Sequence, residues 1–203
     1  MKTAFRTLLA IICIFIVSNF FFSADVFVER SIEIKRPINQ VFMKVANVAE
    51  WQKWELLCTT DSTIVNSFTE TVYGINAKRA WISEESGAGN MQITNVELNK
   101  QIDFDIEFIE PFESKGKGTF TFDQIKGKTK ATWRLHKEYS FFFRVLGLFP
   151  DKMIGEGFEM SLKNLKSLTE KTIDLFHILM FNKAEFYVYS KKENCATIEI
   201  GRT

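Results

Sequence analysis

The spacing of apolar residues changes period along this chain, and each change marks a new element. Residues 26–35, VFVERSIEIK, alternate, with Val26, Val28, Ile32 and Ile34 on one face, and predict a half-buried strand. Pro37 then leads INQVFMKVANV, in which Ile38, Val41, Phe42 and Val45 recur at helical spacing. Proline suits a first helical turn, where its missing N–H has no partner to lose. From residue 62 the period returns to two and predicts a continuous antiparallel meander, with strands near 62–72, 76–84, 89–98, 101–109, 115–124 and 128–138. The turns fall at Tyr73-Gly74, Gly87-Ala88-Gly89, Asn99-Lys100, Glu110-Pro111-Phe112 and Lys126-Gly127.

The last three strands alternate most cleanly. Ile102, Phe104, Ile106 and Phe108 share one face; Gly116, Gly118, Phe120 and Phe122, then Thr129, Ala131, Trp133 and Leu135, continue it. The opposite face is wet and sorted by sign, acidic at Asp103, Asp105 and Glu107 and basic on the two strands that follow. Cross-strand ion pairs are the simple expectation, each worth about 0–1 kcal/mol when exposed and so a matter of register and solubility. Contact between the basic rows and anionic lipid headgroups is the alternative.

Past the meander, Ile154, Phe158, Leu162, Leu165 and Leu168 form one helical stripe flanked by Lys163, Lys166, Glu170 and Lys171. Pro150 separates this long helix, from about residue 151, from a short one near 141–148. An amphipathic helix beside a one-sided sheet must lay its stripe on the apolar face, which makes an α+β two-layer domain over 25–171. Residues 172–203 hold an apolar piece, IDLFHILMF, and two candidate short strands, EFYVYS and CATIEI.

The first 24 residues change the picture of where this domain works. Lys2 and Arg6 precede an uncharged run from Thr7 to Ala24; at about 1.5 Å per residue it reaches roughly 27 Å, enough for a hydrocarbon core. A single-pass anchor with the basic residues inside would put the domain on the non-cytoplasmic side. A cleaved signal, giving a secreted or periplasmic protein, also fits Ser23-Ala24 before Asp25, although Phe22 stands where such sites want a small residue. A buried soluble helix is the third reading.

Composition removes several functions. Twenty-six basic residues balance 25 acidic ones, so nucleic acid is not an expected partner. Twenty-one phenylalanines supply an interior of large flat side chains. Cys13 lies in the leader, and Cys58 and Cys195 either form one bridge or stay as two thiols; nothing has metal-ligand spacing. His136 falls on the wet face and His177 in the tail. There is no nucleophile elbow, phosphate loop or dinucleotide fingerprint, and no cofactor is expected.

Strand, short helices, meander and long C-terminal helix follow in the order of a helix-grip domain. Over residues 25–171 the chain resembles the START-like superfamily called SRPBCC, and within it the polyketide-cyclase/dehydrase-like branch with its membrane-anchored bacterial members. The stretches that carry the resemblance are the leader, VERSIEIKRPINQVF, NVAEWQKW, AKRAW followed by GAGNMQIT, and FEMSLKNLKSL. It implies a curved sheet of about seven strands gripping the long helix, with a deep apolar cavity between them and short helices at its rim. The implied ligand is a hydrophobic small molecule or lipid. Trp54, Trp81, Met91, Phe104, Phe108, Phe120, Trp133 and Phe158 are the candidate contacts.

Some assignments stay open at this level. Trp51 and Trp54, three apart, share a helical face and either cap the cavity mouth or pack the connection onto the sheet. On the Trp81 strand the inner row is either Arg79, Trp81 and Ser83 or Ala80 and Ile82. Gly116 and Gly118, inward on a strand, predict open volume or a bulge. Gly155 and Gly157 predict a kink, a close approach or a loose helix start. An enzyme of this branch would need proton-transfer groups in the cavity, for which Arg79, Glu84, Tyr73 and Tyr139 are the candidates, each more simply explained as a strand-end or surface residue. Binding is therefore the favoured activity, with cyclase or dehydratase chemistry as the alternative. A sensor or interaction role resting on residues 172–203 is the third, with no particular protein partner indicated.

Overall fold

The structure, a computed structural model, describes residues 25–111, 113–138 and 154–171, together with Arg6, Thr7, Leu9, Ala10, Phe15 and Ile16 of the leader. The short helix expected at 141–148 and the strands expected after 172 lie outside the described residues, as do Tyr139, His177 and Cys195. Among the described residues no helix is long and apolar enough to cross a membrane.

Strand β1 (Asp25–Ile34) is followed by helix α1 (Ile38–Ala46), a 3-10 turn (Glu50–Lys53) and helix α2 (Leu56–Thr60). Strands β2 (Val65–Phe68), β3 (Lys78–Ser83), β4 (Gly87–Glu97), β5 (Gln101–Glu110), β6 (Ser114–Ile125) and β7 (Lys128–Glu138) form the meander. Helix α3 fills 156–171 after a π turn at 154–155. The sheet is antiparallel in the order β1-β7-β6-β5-β4-β3-β2, so the first strand closes onto the last. This is the expected α+β architecture of a seven-stranded sheet with a C-terminal helix.

The alternating rows fall where period two places them. Val26, Val28 and Ile34 of β1, Ile102 and Phe104 of β5, Phe120 and Phe122 of β6, and Ala131, Trp133 and Leu135 of β7 are buried in one cluster. Helix α1 adds Val41, Phe42 and Val45, and α3 adds Phe158, Leu162 and Leu165 along its stripe. Pro37 stands just outside α1, at its N-cap, rather than in its first turn.

Three expectations are corrected. The strand expected over 62–72 shrinks to β2, because the chain turns back toward α1: Val48 N–H donates to Val72 O (2.9 Å) and Gly74 N–H to Ala46 O (3.0 Å), with Gly74 and Asn76 both at positive φ. The turn expected at 87–89 lies at 84–86 instead, and Gly87, at φ 70°, opens β4. The wet-face ion pairs also sort differently. Lys115 does meet Glu107 across β5 and β6 (2.9 Å), but the basic row of β7 pairs with β1, Lys128 with Glu33 (3.1 Å) and Arg134 with Glu29 (2.5 Å). Closing the sheet through β1 places its own acidic row beside them.

Candidate functional site

The ring stack comes first, because it decides where space is left. The two tryptophans sit on and just after the 3-10 turn, both buried, their indole N–H groups donating to Val45 O (Trp51, 2.9 Å) and Lys44 O (Trp54, 3.3 Å) at the end of α1. These bonds satisfy the amphipathic rings inside the core and pin the turn to the helix. Trp51 and Trp54 pack 4.7 Å apart between centroids, and Trp51 meets Phe104 (5.4 Å), Phe120 (5.8 Å) and Trp133 (5.7 Å) edge-on. From above, Phe158 of α3 stacks flat on Trp133 at 3.8 Å, which fastens the helix to the sheet.

Beside this stack a cavity of about 340 Å³ opens between sheet and helix. Its walls include Trp51, Trp81, Met91, Phe104, Phe108, Trp133 and Phe158. Six of the eight candidate contacts, Trp81, Met91, Phe104, Phe108, Trp133 and Phe158, thus border one space. Trp54 and Phe120 do not; they lie one layer behind, Trp54 against Trp51 and Phe120 stacked on Trp133 at 4.9 Å. Trp51, rather than Trp54, is the tryptophan of the connecting segment that faces the cavity.

Glycines on the sheet shape the floor in a way the sequence did not disclose. Gly118 is opposite Phe104 in the register, and a Cβ there would lie 2.0 Å from the Phe104 ring; Gly89 is opposite Trp81, and its Cβ would lie 2.3 Å from that ring. The aromatic rings therefore lie flat over their glycine partners. Gly118 is filled by a neighbour rather than left as open volume, and Gly116 is closed in by His136 O, Ile106 and Leu135. The space gained is above the flattened rings. In the long helix, Gly155 is the close approach, its missing side chain replaced by the Arg30 guanidinium, which bonds Glu159 at 2.9 Å. Gly157 faces the cavity, where a Cβ would make only ordinary contact with Leu56 (3.6 Å).

The polar groups of the site are few. Arg79, Trp81 and the buried side of β3 form the inner row, leaving Ile82 exposed. Arg79 is 2% exposed, held between the Trp51 and Trp81 rings (5.8 and 5.2 Å to the centroids). Its Nη2 donates to Glu55 Oε2 and its Nη1 to Cys58 Sγ, both at 3.3 Å. Among the described residues its Nε has no acceptor, and neither do the indole N–H groups of Trp81 and Trp133. Burial pushes the Cys58 thiol up to about 11, the Arg79 cation working against that. At the other side of the cavity Lys137 lies over the Phe108 ring at 4.7 Å. Burial holds its ammonium below the usual lysine range.

Of the acid–base candidates, Arg79 enters the cavity. Glu84 is exposed on the β3–β4 turn, and Tyr73 is exposed, its hydroxyl against Met43 Sδ at 3.1 Å. The carboxylate that does face the cavity is Glu55, next to Trp54 and overlooked by the sequence reading. Lys137 was legible in principle, since it continues the inward alternation Trp133, Leu135, Lys137. Ser161 was hidden on the stripe of α3; its hydroxyl accepts the Leu56 N–H (2.9 Å) and so ties the rim to the long helix. Among the described residues no group of His, Cys, Asp and Glu is arranged to hold a metal.

Comparison with known proteins agrees with this architecture. Protein CV1439 from Chromobacterium violaceum is similar at 15% identity and a TM-score of 0.55, over 71% of this chain and 96% of its own. MLL2253 from Mesorhizobium loti is similar at 18% and 0.53, over 73% and 98%, and jhp0584 from Helicobacter pylori at 9% and 0.56, over 70% and 87%. At such identities the likeness is one of fold. No curated protein matches the chain. Residues 26–170, well over half of the chain, match the family model described as polyketide cyclase / dehydrase and lipid transport, and the chain belongs to that family.

Proposed function

We propose that this domain holds a hydrophobic small molecule or lipid in the cavity between sheet and long helix, and that the leader tethers it to a membrane. The cavity itself carries this reading. A space of about 340 Å³ walled by six aromatic side chains, with one ion pair and a lysine at its borders, has the make-up of a ligand site: apolar walls for affinity, few polar groups for orientation. Keeping such volume empty costs packing contacts that a folded core otherwise makes. The tether rests on the uncharged run behind Lys2 and Arg6, along which Leu9, Phe15 and Ile16 are exposed.

The test is what leaves the cell with the protein. Native mass spectrometry and solvent extraction of the full chain purified from membranes are expected to yield a bound apolar molecule in stoichiometric amount. A ligand-free chain that also fails to bind apolar fluorescent probes would remove the proposal. Proton transfer on the bound molecule is the second reading, favoured by one observation: the Glu55 carboxylate borders the cavity beside Arg79. It requires that Glu55→Gln abolish turnover of a molecule that the variant still binds.

A further inference from the structure

The cavity does not sit midway along the strands. One register row crosses the sheet from Arg79 through Met91, Ile106 and Gly116 to Lys137, and Lys137 is partnered in turn by Val26 of β1. Beyond that row lie Trp81 and Phe108, close to the ends of β3 and β5, and both border the cavity. Among the described residues, exposure grades along the wall: Trp51, Met91, Phe104 and Trp133 are buried, whereas Phe108, Leu56, Leu57 and Ile154 are half-buried. The cavity therefore opens toward the strand ends on that side. Asp25, the first residue of β1, stands at the same ends, paired with Glu138. Directly before it comes the uncharged run 7–24. That run is just long enough to cross a hydrocarbon core, so nothing of it remains as a linker between bilayer and sheet.

We propose that the mouth of the cavity faces the bilayer that holds the leader. This deepens the reading of a tethered domain with a hydrophobic ligand and rests on it. Without a linker, the strand ends around Asp25 stay at the membrane surface, and the mouth lies among those ends. The outward side chains there suit an interface: Phe27, Val65, Ile82 and Ile109, all near these strand ends, are exposed apolar residues that a headgroup layer would withdraw from water. Attraction to headgroup charge is not the cause, since the same end carries the exposed carboxylates Glu84, Glu85, Glu110 and Glu113. Connectivity fixes the orientation. Its consequence is a route: an apolar molecule that left the bilayer through water would expose its whole surface on the way, and a mouth against the bilayer removes that step.

The experiment compares the two ends of the sheet in the full chain, reconstituted in phosphatidylcholine vesicles in which part of the headgroups carry a nitroxide. A bimane label is placed at Ile82→Cys, Ile109→Cys or Leu98→Cys, with Cys13 and Cys195 replaced by serine. Cys58 stays, because burial holds its thiol up at about 11 and out of the labelling reaction at neutral pH. Ile82 and Leu98 are equally open, 70% and 73% exposed, but stand at opposite ends of the sheet, ~30 Å apart for strands of about ten residues. The labels at Ile82 and Ile109 are expected to lose most of their emission to the nitroxide lipid, and the label at Leu98 to keep its own. Equal quenching at the two ends, or stronger quenching at Leu98, overturns the membrane-facing mouth while the tether stands. Labels at Ile109 that are quenched by other labelled copies instead of by the nitroxide lipid identify a second copy as the occupant, and likewise overturn it. A chain that washes off the vesicles in alkaline carbonate overturns the tether and the orientation together.

Discussion

On the inner face of the sheet, Phe42 meets Phe122 at 5.4 Å and Trp54 meets Trp51 at 4.7 Å in a continuous packed stack, whereas a few strands away Trp81, Met91 and Phe108 border open space. Both regions are aromatic, and Trp51 and Trp133 belong to each as the dividing wall. The difference lies in what stands opposite. Over the packed region α1 and the 3-10 turn press their own rings into the sheet. Over the open region the rings lie down on Gly89 and Gly118, and α3 presents Gly157 and Ser161 beside the Phe158 ring. Aromatic content therefore does not distinguish a core from a pocket; the partners of the rings do.

The sharpest way to break this contrast is at the wall. Trp51→Ala removes a buried ring that touches four others and a hydrogen bond to Val45, and is expected to cost about 3–5 kcal/mol in chemical denaturation. A loss below 1 kcal/mol would mean that the stack does not hold this end together. On the floor, Gly118→Ala drives a methyl into the Phe104 ring and is expected to cost about 1–3 kcal/mol while pushing the ring up into the cavity. Denaturation read together with probe capacity checks both effects; an unchanged capacity would contradict the account of the floor.

A smaller effect separates the two regions by pH. Behind the open region, Asp61 bonds the Ser83 hydroxyl at the end of β3 and accepts from Thr63 N–H (2.9 Å) and Oγ1 (2.7 Å). The Ser83 bond first, then Ser86 and Thr63, hold its carboxyl well below the usual range. A depressed carboxylate contributes stability that is fully present above its unfolded value of about 3.9 and lost as pH falls through the folded value. Asp61→Asn should therefore be less stable than the parent at pH 7, with the gap closing as pH falls below about 4. A gap that stays constant with pH would show that the carboxylate's charge is not what holds this corner.

The strand rows and the α3 stripe were readable because alternation and helical spacing need no knowledge of neighbours: Ile102, Phe104, Trp133 and Leu162 are buried where the pattern puts them. The site was only partly readable, since register decides it. That Gly118 faces Phe104, and that Arg79 and Lys137 end one row, follows from strand pairing and from no local pattern. Trp51 and Trp54 illustrate the limit from the other side. Their spacing put both on one face, yet the 3-10 turn sends Trp51 to the cavity wall and Trp54 into the layer behind.

The central claim, that one region of this face is open to a ligand and the other closed, is tested most directly by titrating an apolar fluorescent probe into two variants. Gly157→Leu places a side chain beside Leu56 inside the cavity at a helical position where replacing glycine is worth up to about 1 kcal/mol of stability. Trp54→Phe alters the packed layer without touching the cavity wall. The account predicts that Gly157→Leu folds as well as the parent and loses probe binding, while Trp54→Phe keeps it; equal binding by both variants would contradict it.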